Sequence, residues 1–588
     1  MRNKQKARRQ SGVITTIPPF TKEVLKEKTP YSRLYAIAGI IVLLTFLVYI
    51  PSIHNDLLKT WDDQAYVTNN DLVKDISLQS VAKIFKEDRG LYANYHPLTT
   101  LSLAINYSFS GLNPSGYRIV NILLHLLNTF LVFLFIYTLA GKRLEIAVVT
   151  SLLFGLHPMH VESVAWISER KDVLYAAFFL LALISYQKYI KKNDLKFYIL
   201  SLFLFLCSLL SKAMAASLPL VLFLIDYMMK RKWDFRLWLE KIPYFVLSVI
   251  LGLYAIYIQA EGHATSSIMF SWASRFLHAC YGFIGYIYKI LIPVNLSAFY
   301  PYPYPLVNSA WVMNTTPLSI YLNVFLCICL AILLVVVIIK PSKYKPVLIF
   351  GILFYFFTIA LVLQFLPVGR AIMADRYSYI PSIGLFFIFA FLLYELYKVR
   401  KYRVVAISLT CVYAAVLFYL TFQRCQVWKN DETLWSDVIR KYPGDNRVAL
   451  AIYNRAIYYE QEDKIHEALN DFLTLASYSP RDENVLEKIG KIYGQKLNDL
   501  DKAIIYFQKA YEINPSSIDI LKDLGTVYGI KGDPQKSLEY SLKGLEIKGD
   551  DAFLLMNAGV GYQNLGNPQK ASEYIEKAQR LDPSLKPK

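Results

Sequence analysis

Eleven apolar runs, near 34–52, 117–140, 144–160, 172–190, 195–211, 213–229, 242–260, 318–340, 346–366, 377–398 and 402–423, fill the first 423 residues. A helix needs roughly 17–25 residues to cross the hydrocarbon of a bilayer. Lipid offers no partner for an open backbone group, so such runs can only be helices. The fold class that follows is all-α, beginning with a polytopic membrane domain. Composition agrees, with 55% of residues hydrophobic and 15% aromatic.

The formal charge of +18 is unevenly spread. Residues 431–588 hold 21 basic and 25 acidic residues, which leaves +22 on residues 1–430. Those cations lie in short loops, "RNKQKARR", "KYIKKNDLK", "KRKWDFR", "KPSKYK" and "KVRKYR", as the positive-inside rule describes, and no soluble basic face is left for nucleic acid. The basic stretch 1–33 is then cytoplasmic and precedes an uncleaved signal anchor. Loops 53–116, 157–172, 293–317 and 367–377 face the other side. Segment 271–292 breaks this parity if it crosses fully and is expected to be re-entrant or interfacial, within a membrane domain of residues 34–428. The six cysteines lie in or beside apolar runs with no C-x-x-C, which argues against structural zinc or a disulfide framework.

From residue 429 the pattern changes. Gly490, Gly525 and Gly559 recur with Tyr493, Tyr528 and Tyr562 three residues on, followed by Ala503, Ser537 and Ala571. Pro480, Pro515 and Pro583 close helices, and Ala456 with Tyr459 and Ala468 adds an earlier copy. A period of 34–35 residues with these positions is the tetratricopeptide signature, so residues 429–588 form an α-solenoid of roughly four repeats. An odd number of crossings from a cytoplasmic start puts this solenoid outside the cytoplasm, on the side of loop 53–116.

Ionisable groups at membrane boundaries are costly and mark candidate sites. "KTWDDQAYVTNN" carries Asp62 and Asp63, and "FGLHPMHVESVAWISERKDVLYAAFF" carries His157, His160, Glu162, Glu169, Arg170, Lys171 and Asp172. Two readings fit the aspartates: solvated loop residues beside an interfacial Trp61, or a functional acid pair. Lys212, Arg370 and Arg376 lie at external membrane edges, where guanidinium forks suit a phosphate or an acidic partner. The spacing H-x-x-H with Pro158 inside it is not a zinc-protease face.

Together "WDDQAYVTNN", "YHPLTTLSLAINYSFSGLNPSGYRIVNILLHLLN", "LLFGLHPMHVESVAWISERKDVLYAAFFLLAL", "LLSKAMAASLPLVLFLIDY", "ADRYSYIPSIGL" and the C-terminal repeats resemble the transmembrane and tetratricopeptide-repeat-containing (TMTC) proteins and their bacterial relatives. The resemblance implies a GT-C glycosyltransferase fold and protein O-mannosyltransferase activity. A polyprenyl- or dolichyl-phosphate sugar would be the donor, and Ser or Thr hydroxyls of extracytoplasmic proteins, brought by the repeats, the acceptor. It implies a paired acidic motif in the first external loop, the place of Asp62 and Asp63, with Asp62 as base and Asp63 its substitute. Arg118, Lys212, Arg370 and Arg376 are then candidates for the donor phosphate, and His96, Glu162, Glu169 and Arg170 for the sugar or acceptor. Relatives often have Arg where His96 stands. The nearest mechanistic analogues need no cofactor; a divalent metal is used by some GT-C enzymes, but no ligand set here demands one. The membrane is a bacterial cytoplasmic membrane with periplasmic repeats, or the endoplasmic reticulum with luminal repeats. Competing readings are a GT-C transferase acting on a lipid or glycan, and a non-catalytic scaffold, for which one helix would suffice as an anchor.

Overall fold

Every long element is a helix, as apolarity and the 34-residue period require. The computed structural model describes residues 30–87, 94–261, 270–304, 306–307, 310–311, 317–365 and 371–585. Arg370, most of the basic N-terminus and parts of loops 53–116, 293–317 and 367–377 lie outside these residues. Residues 1–302 with 316–434 form one unit, and 303–315 with 435–588 a second. The division falls inside the helix Asp431–Lys441, a few residues beyond the boundary expected at 428.

Among the described residues of the first unit, seven helices are long and apolar enough to cross a bilayer: Tyr31–Ser52, Pro114–Leu139, Ile167–Lys192, Phe235–Glu261, Leu318–Ile339, Lys345–Val362 and Arg400–Val427. The chain is a multi-pass membrane protein. The other expected crossings are shorter or broken. The run 144–160 becomes Leu144–Leu156 and Pro158–Ala165, inclined by 50°. The cause is Pro158, which cannot donate to a continuing helix and forces His157 into extended backbone at φ −80°, ψ 127°. Leu195–Ser211, Leu218–Met228 and Ser382–Lys398 have 17, 11 and 17 residues. Segment 271–292 forms one unbroken helix, Trp272–Leu291, which packs along Leu318–Ile339.

Small residues let these helices approach. A Cβ on Gly384 would lie 2.5 Å from the Gly351 carbonyl oxygen, and one on Gly351 would lie 2.6 Å from that of Gly384. This is the close contact that holds helices together where lipid removes the hydrophobic driving force. Buried hydroxyls bond backward along their own helices, Thr45 to Ile41 and Thr150 to Ile146 at 2.9 and 2.8 Å. A short antiparallel ribbon, Tyr300 opposite Met373, ties the chain after Trp272–Leu291 to the segment carrying Asp375 and Arg376.

The second unit contains the helix pairs Ala449–Gln461 with Ile465–Tyr478, Glu483–Lys491 with Leu500–Ile513, Ile518–Lys531 with Pro534–Ile547, and Ala552–Asn564 with Pro568–Leu581. The period has visible causes. Asp499, Asp533 and Asn567, 34 residues apart, each cap the second helix of a pair by accepting from the backbone N–H three residues on. A Cβ on Gly490 would meet the Phe507 ring at 2.6 Å, and one on Gly559 would meet Ile575 at the same distance. The single 35-residue interval is absorbed at the end of Glu483–Lys491, where Leu497 N–H bonds to Ile492 O and the turn is one residue wider.

Candidate active site

The site grows from the loop that leaves the first membrane helix. Asp63 is fully buried and closes this loop onto the segment Ile167–Glu169. One of its oxygens accepts from Leu58 N–H at 3.0 Å, and the other from Ser168 N–H at 3.0 Å and the Ser168 hydroxyl at 2.5 Å. Asp62 differs. Its backbone carbonyl starts the turn Gln64–Thr68 by accepting from Tyr66 N–H at 2.9 Å, while its half-buried carboxylate receives no hydrogen bond from the described residues. Burial raises the Asp62 carboxyl above the usual carboxylate range; Lys171 and Arg376 pull it down and Glu169 pushes it up.

Those neighbours belong to one charged cluster. Pro158 ends the preceding helix, so Val161–Ala165 and Ile167–Glu169 form short turns that point Glu162 and Glu169 inward before Arg170–Lys192 begins. Glu169 is shared by three cations: Lys171 at 3.1 Å, Lys212 at 3.5 Å and the Arg376 Nε at 3.2 Å. Lys212 also pairs with Asp172, and Arg376 with Glu162, which in addition accepts the Arg376 backbone N–H at 3.2 Å. Lys212 sits just past Leu195–Ser211, and Arg376 follows the ribbon, so three separate segments deliver the cations. His96, 7% exposed, begins the helix Pro97–Ser110, and its Nδ1 has no hydrogen-bond partner among the described residues. Burial, with Lys171 and Lys212 adding repulsion, pushes it down to about 3, so the ring is neutral.

Trp61 lies beside Asp62 in the chain. It packs on Trp166 at 4.4 Å between ring centroids and on Trp428 at 6.2 Å. Arg376 lies over Trp166 at 5.5 Å and over Tyr377 at 4.8 Å. The arrangement joins a carboxylate, a set of cations and an aromatic wall.

Residues 484–517 and 554–585 match the tetratricopeptide repeat family. Human protein O-mannosyl-transferase TMTC1 is 25% identical over 455 residues, covering 68% of this chain and 50% of the relative. The Caenorhabditis elegans protein O-mannosyl-transferase F38B6.6 is 26% identical over 444 residues, covering 70% and 58%, and Drosophila melanogaster Tmtc1 is 30% identical over 191 residues, covering 31% and 22%. Over about two thirds of its length the chain is similar to these protein O-mannosyl-transferases. It spans about half the length of the human and Caenorhabditis elegans relatives. Among solved structures, that of MamA is 19% identical with a TM-score of 0.24, covering 26% of this chain and 80% of its own, and that of YrrB is 18% identical with the same score, covering 33% and 93%.

The expected residues separate by what they hold. Asp62, Glu162, Glu169, Lys212, Arg376 and His96 converge. Arg118 instead donates to the backbone carbonyls of Ala165, Asn55 and Asp56, and Arg170 to Asn121, Ser102, Asn106 and the Tyr117 carbonyl. Both are buried and brace the loops. Arg370 is outside the described residues. His157 and His160 bond to the carbonyls of Ile290 and Phe154, and no group of three His, Cys, Asp or Glu among the described residues is placed to hold a metal. Lys171 was not among the expected phosphate ligands, though its place between Arg170 and Asp172 already marked it as a charge at a membrane edge. Trp166 and Trp428 gave no such signal, since a buried indole reads as core.

Proposed function

We propose that the chain moves a sugar, mannose by analogy with the TMTC proteins, from a polyprenyl- or dolichyl-phosphate carrier to hydroxyl groups of protein segments offered by its repeats. The observation that carries this is the Asp62 carboxylate, without a donor of its own, held beside Lys171 and Arg376. The acceptor oxygen attacks the anomeric carbon, its proton passes to Asp62, and the bond from that carbon to the phosphate oxygen breaks with its electrons leaving on phosphate. The donor phosphodiester carries one negative charge and the departing phosphate two, while Asp62 goes from one to none. Net charge in the site is therefore constant, which favours a group whose proton affinity burial has raised.

Lys171, Lys212 and Arg376 would face the phosphate, preset by Glu169, and a water-poor setting makes such preset charge count. Glu162 and His96 are the groups left for sugar or acceptor hydroxyls. Side-chain cations take the place a divalent ion would fill, so transfer persists in chelator. The site and the repeats face the periplasm of a bacterial cytoplasmic membrane in this reading.

The test is transfer of radiolabelled mannose from polyprenyl-phosphate-mannose to protein in membranes carrying wild type, Asp62→Asn or Asp63→Asn at matched levels. Loss with Asp62→Asn is expected. Full transfer by that variant would remove the mechanism, and no transfer by wild type would favour a different donor or a scaffold.

A further inference from the structure

The loop carrying Asp62 is held by the far end of the membrane domain. Asn55 Nδ2 donates to the Cys425 carbonyl at 3.0 Å, and Asp56 N–H to the Lys429 carbonyl at 2.8 Å. Asp431 accepts from Lys59 N–H at 2.8 Å, from Thr60 N–H at 2.9 Å and from the Thr60 hydroxyl. Asp431 is fully buried, and both of its oxygens are turned to residues 59–60. An acid in the first turn of a helix ordinarily serves that helix. Here Asn430 already does so, its side-chain oxygen accepting from Thr433 N–H at 3.0 Å, while the Asp431 carboxylate accepts from the loop. Trp428 completes the grip by lying against Trp61, between Thr60 and Asp62.

We propose that Asp431 is a positioning residue for Asp62: by fixing the backbone of Lys59 and Thr60 it sets where the Asp62 carboxylate stands relative to the cations. Asp431 touches neither donor nor acceptor. Carboxylates in the acidic loop of such a site must be held within a fraction of an ångström, and a base displaced by about 1 Å loses on the order of 100-fold in rate.

The kinetic part of the test rests on the glycosyl-transfer reading, and the structural part does not. The full chain is purified in detergent as wild type, Asp431→Ala, Asp431→Asn and Thr60→Val. Hydrogen exchange is followed on the peptide covering residues 57–63, and mannose transfer is followed against polyprenyl-phosphate-mannose concentration. Asp431→Ala is expected to speed exchange in this peptide roughly 10-fold or more while peptides from the membrane helices keep their wild-type rates. It is expected to lower kcat roughly 10- to 100-fold with donor KM unchanged. Asp431→Asn and Thr60→Val should fall between, and they carry the same two measurements if Asp431→Ala does not fold. Wild-type exchange in 57–63 for all variants would overturn the proposal, as would a donor KM that rises in step with the fall in kcat. If wild type transfers no mannose, the transfer reading fails and the exchange result alone decides the clamp.

Discussion

Two adjacent aspartates do opposite work because successive side chains leave a loop in different directions. Asp63 is spent on three donors, so Asp63→Ala leaves Leu58 N–H and the Ser168 groups unpaired in a buried place. That is expected to cost about 1–3 kcal/mol and to lower the thermal unfolding midpoint in detergent. On the proposed mechanism Asp62→Asn removes the proton acceptor, and transfer should fall roughly 100- to 10,000-fold with the midpoint unchanged. The pH profile adds a sign. The base must be ionised, and burial raises its carboxyl, so activity is lost as pH falls through a value above the ordinary aspartate position of about 3.9. His96, held at about 3, stays neutral across the working range and adds no inflection near the usual histidine value of about 6.5, which a titration of transfer rate would check. The acid pair was legible in the sequence as charge placed just outside a membrane helix. What each aspartate does was not, because that depends on Ser168, more than a hundred residues away. Arg118, expected at the donor phosphate, and Arg170, expected at the sugar or acceptor, have their guanidinium groups engaged by partners distant in sequence, which no local pattern announces.

Elements were legible where one local cause decides them. The repeat helices were legible from their period, which the caps Asp499, Asp533 and Asn567 explain, whereas the run 144–160 read as one crossing and Pro158 breaks it after Leu156. Helix length in the membrane was less legible, since apolarity continues past the ends of Leu218–Met228 and Ser382–Lys398. The contact of Gly351 with Gly384 gives an element-level prediction. Gly384→Val would press into the Gly351 carbonyl and the Tyr355 backbone nitrogen, and overpacking of this kind costs typically about 1–3 kcal/mol. Thermal unfolding in detergent should show the loss, and Gly39→Val, where a Cβ meets nothing within 4 Å, should leave the midpoint in place.

At the scale of the molecule, self-similarity exposed the repeats and apolarity exposed the membrane domain, while the ties between distant parts of the membrane domain left no local trace. If the repeats select protein acceptors, a chain ending after Tyr442 should still bind the polyprenyl-phosphate donor, and its KM for protein should rise far more than its KM for a short hydroxyl peptide. Steady-state kinetics with both acceptors would measure this. The tie of residues 55–60 to residues 425–431 spans 370 to 373 positions. A ribosome makes Asp62 early and must then lay down nearly the whole membrane domain before Asp431 emerges. Through that interval the loop has only its ties to Arg118 and Ser168, so completion of the site waits on the last membrane helix to be born.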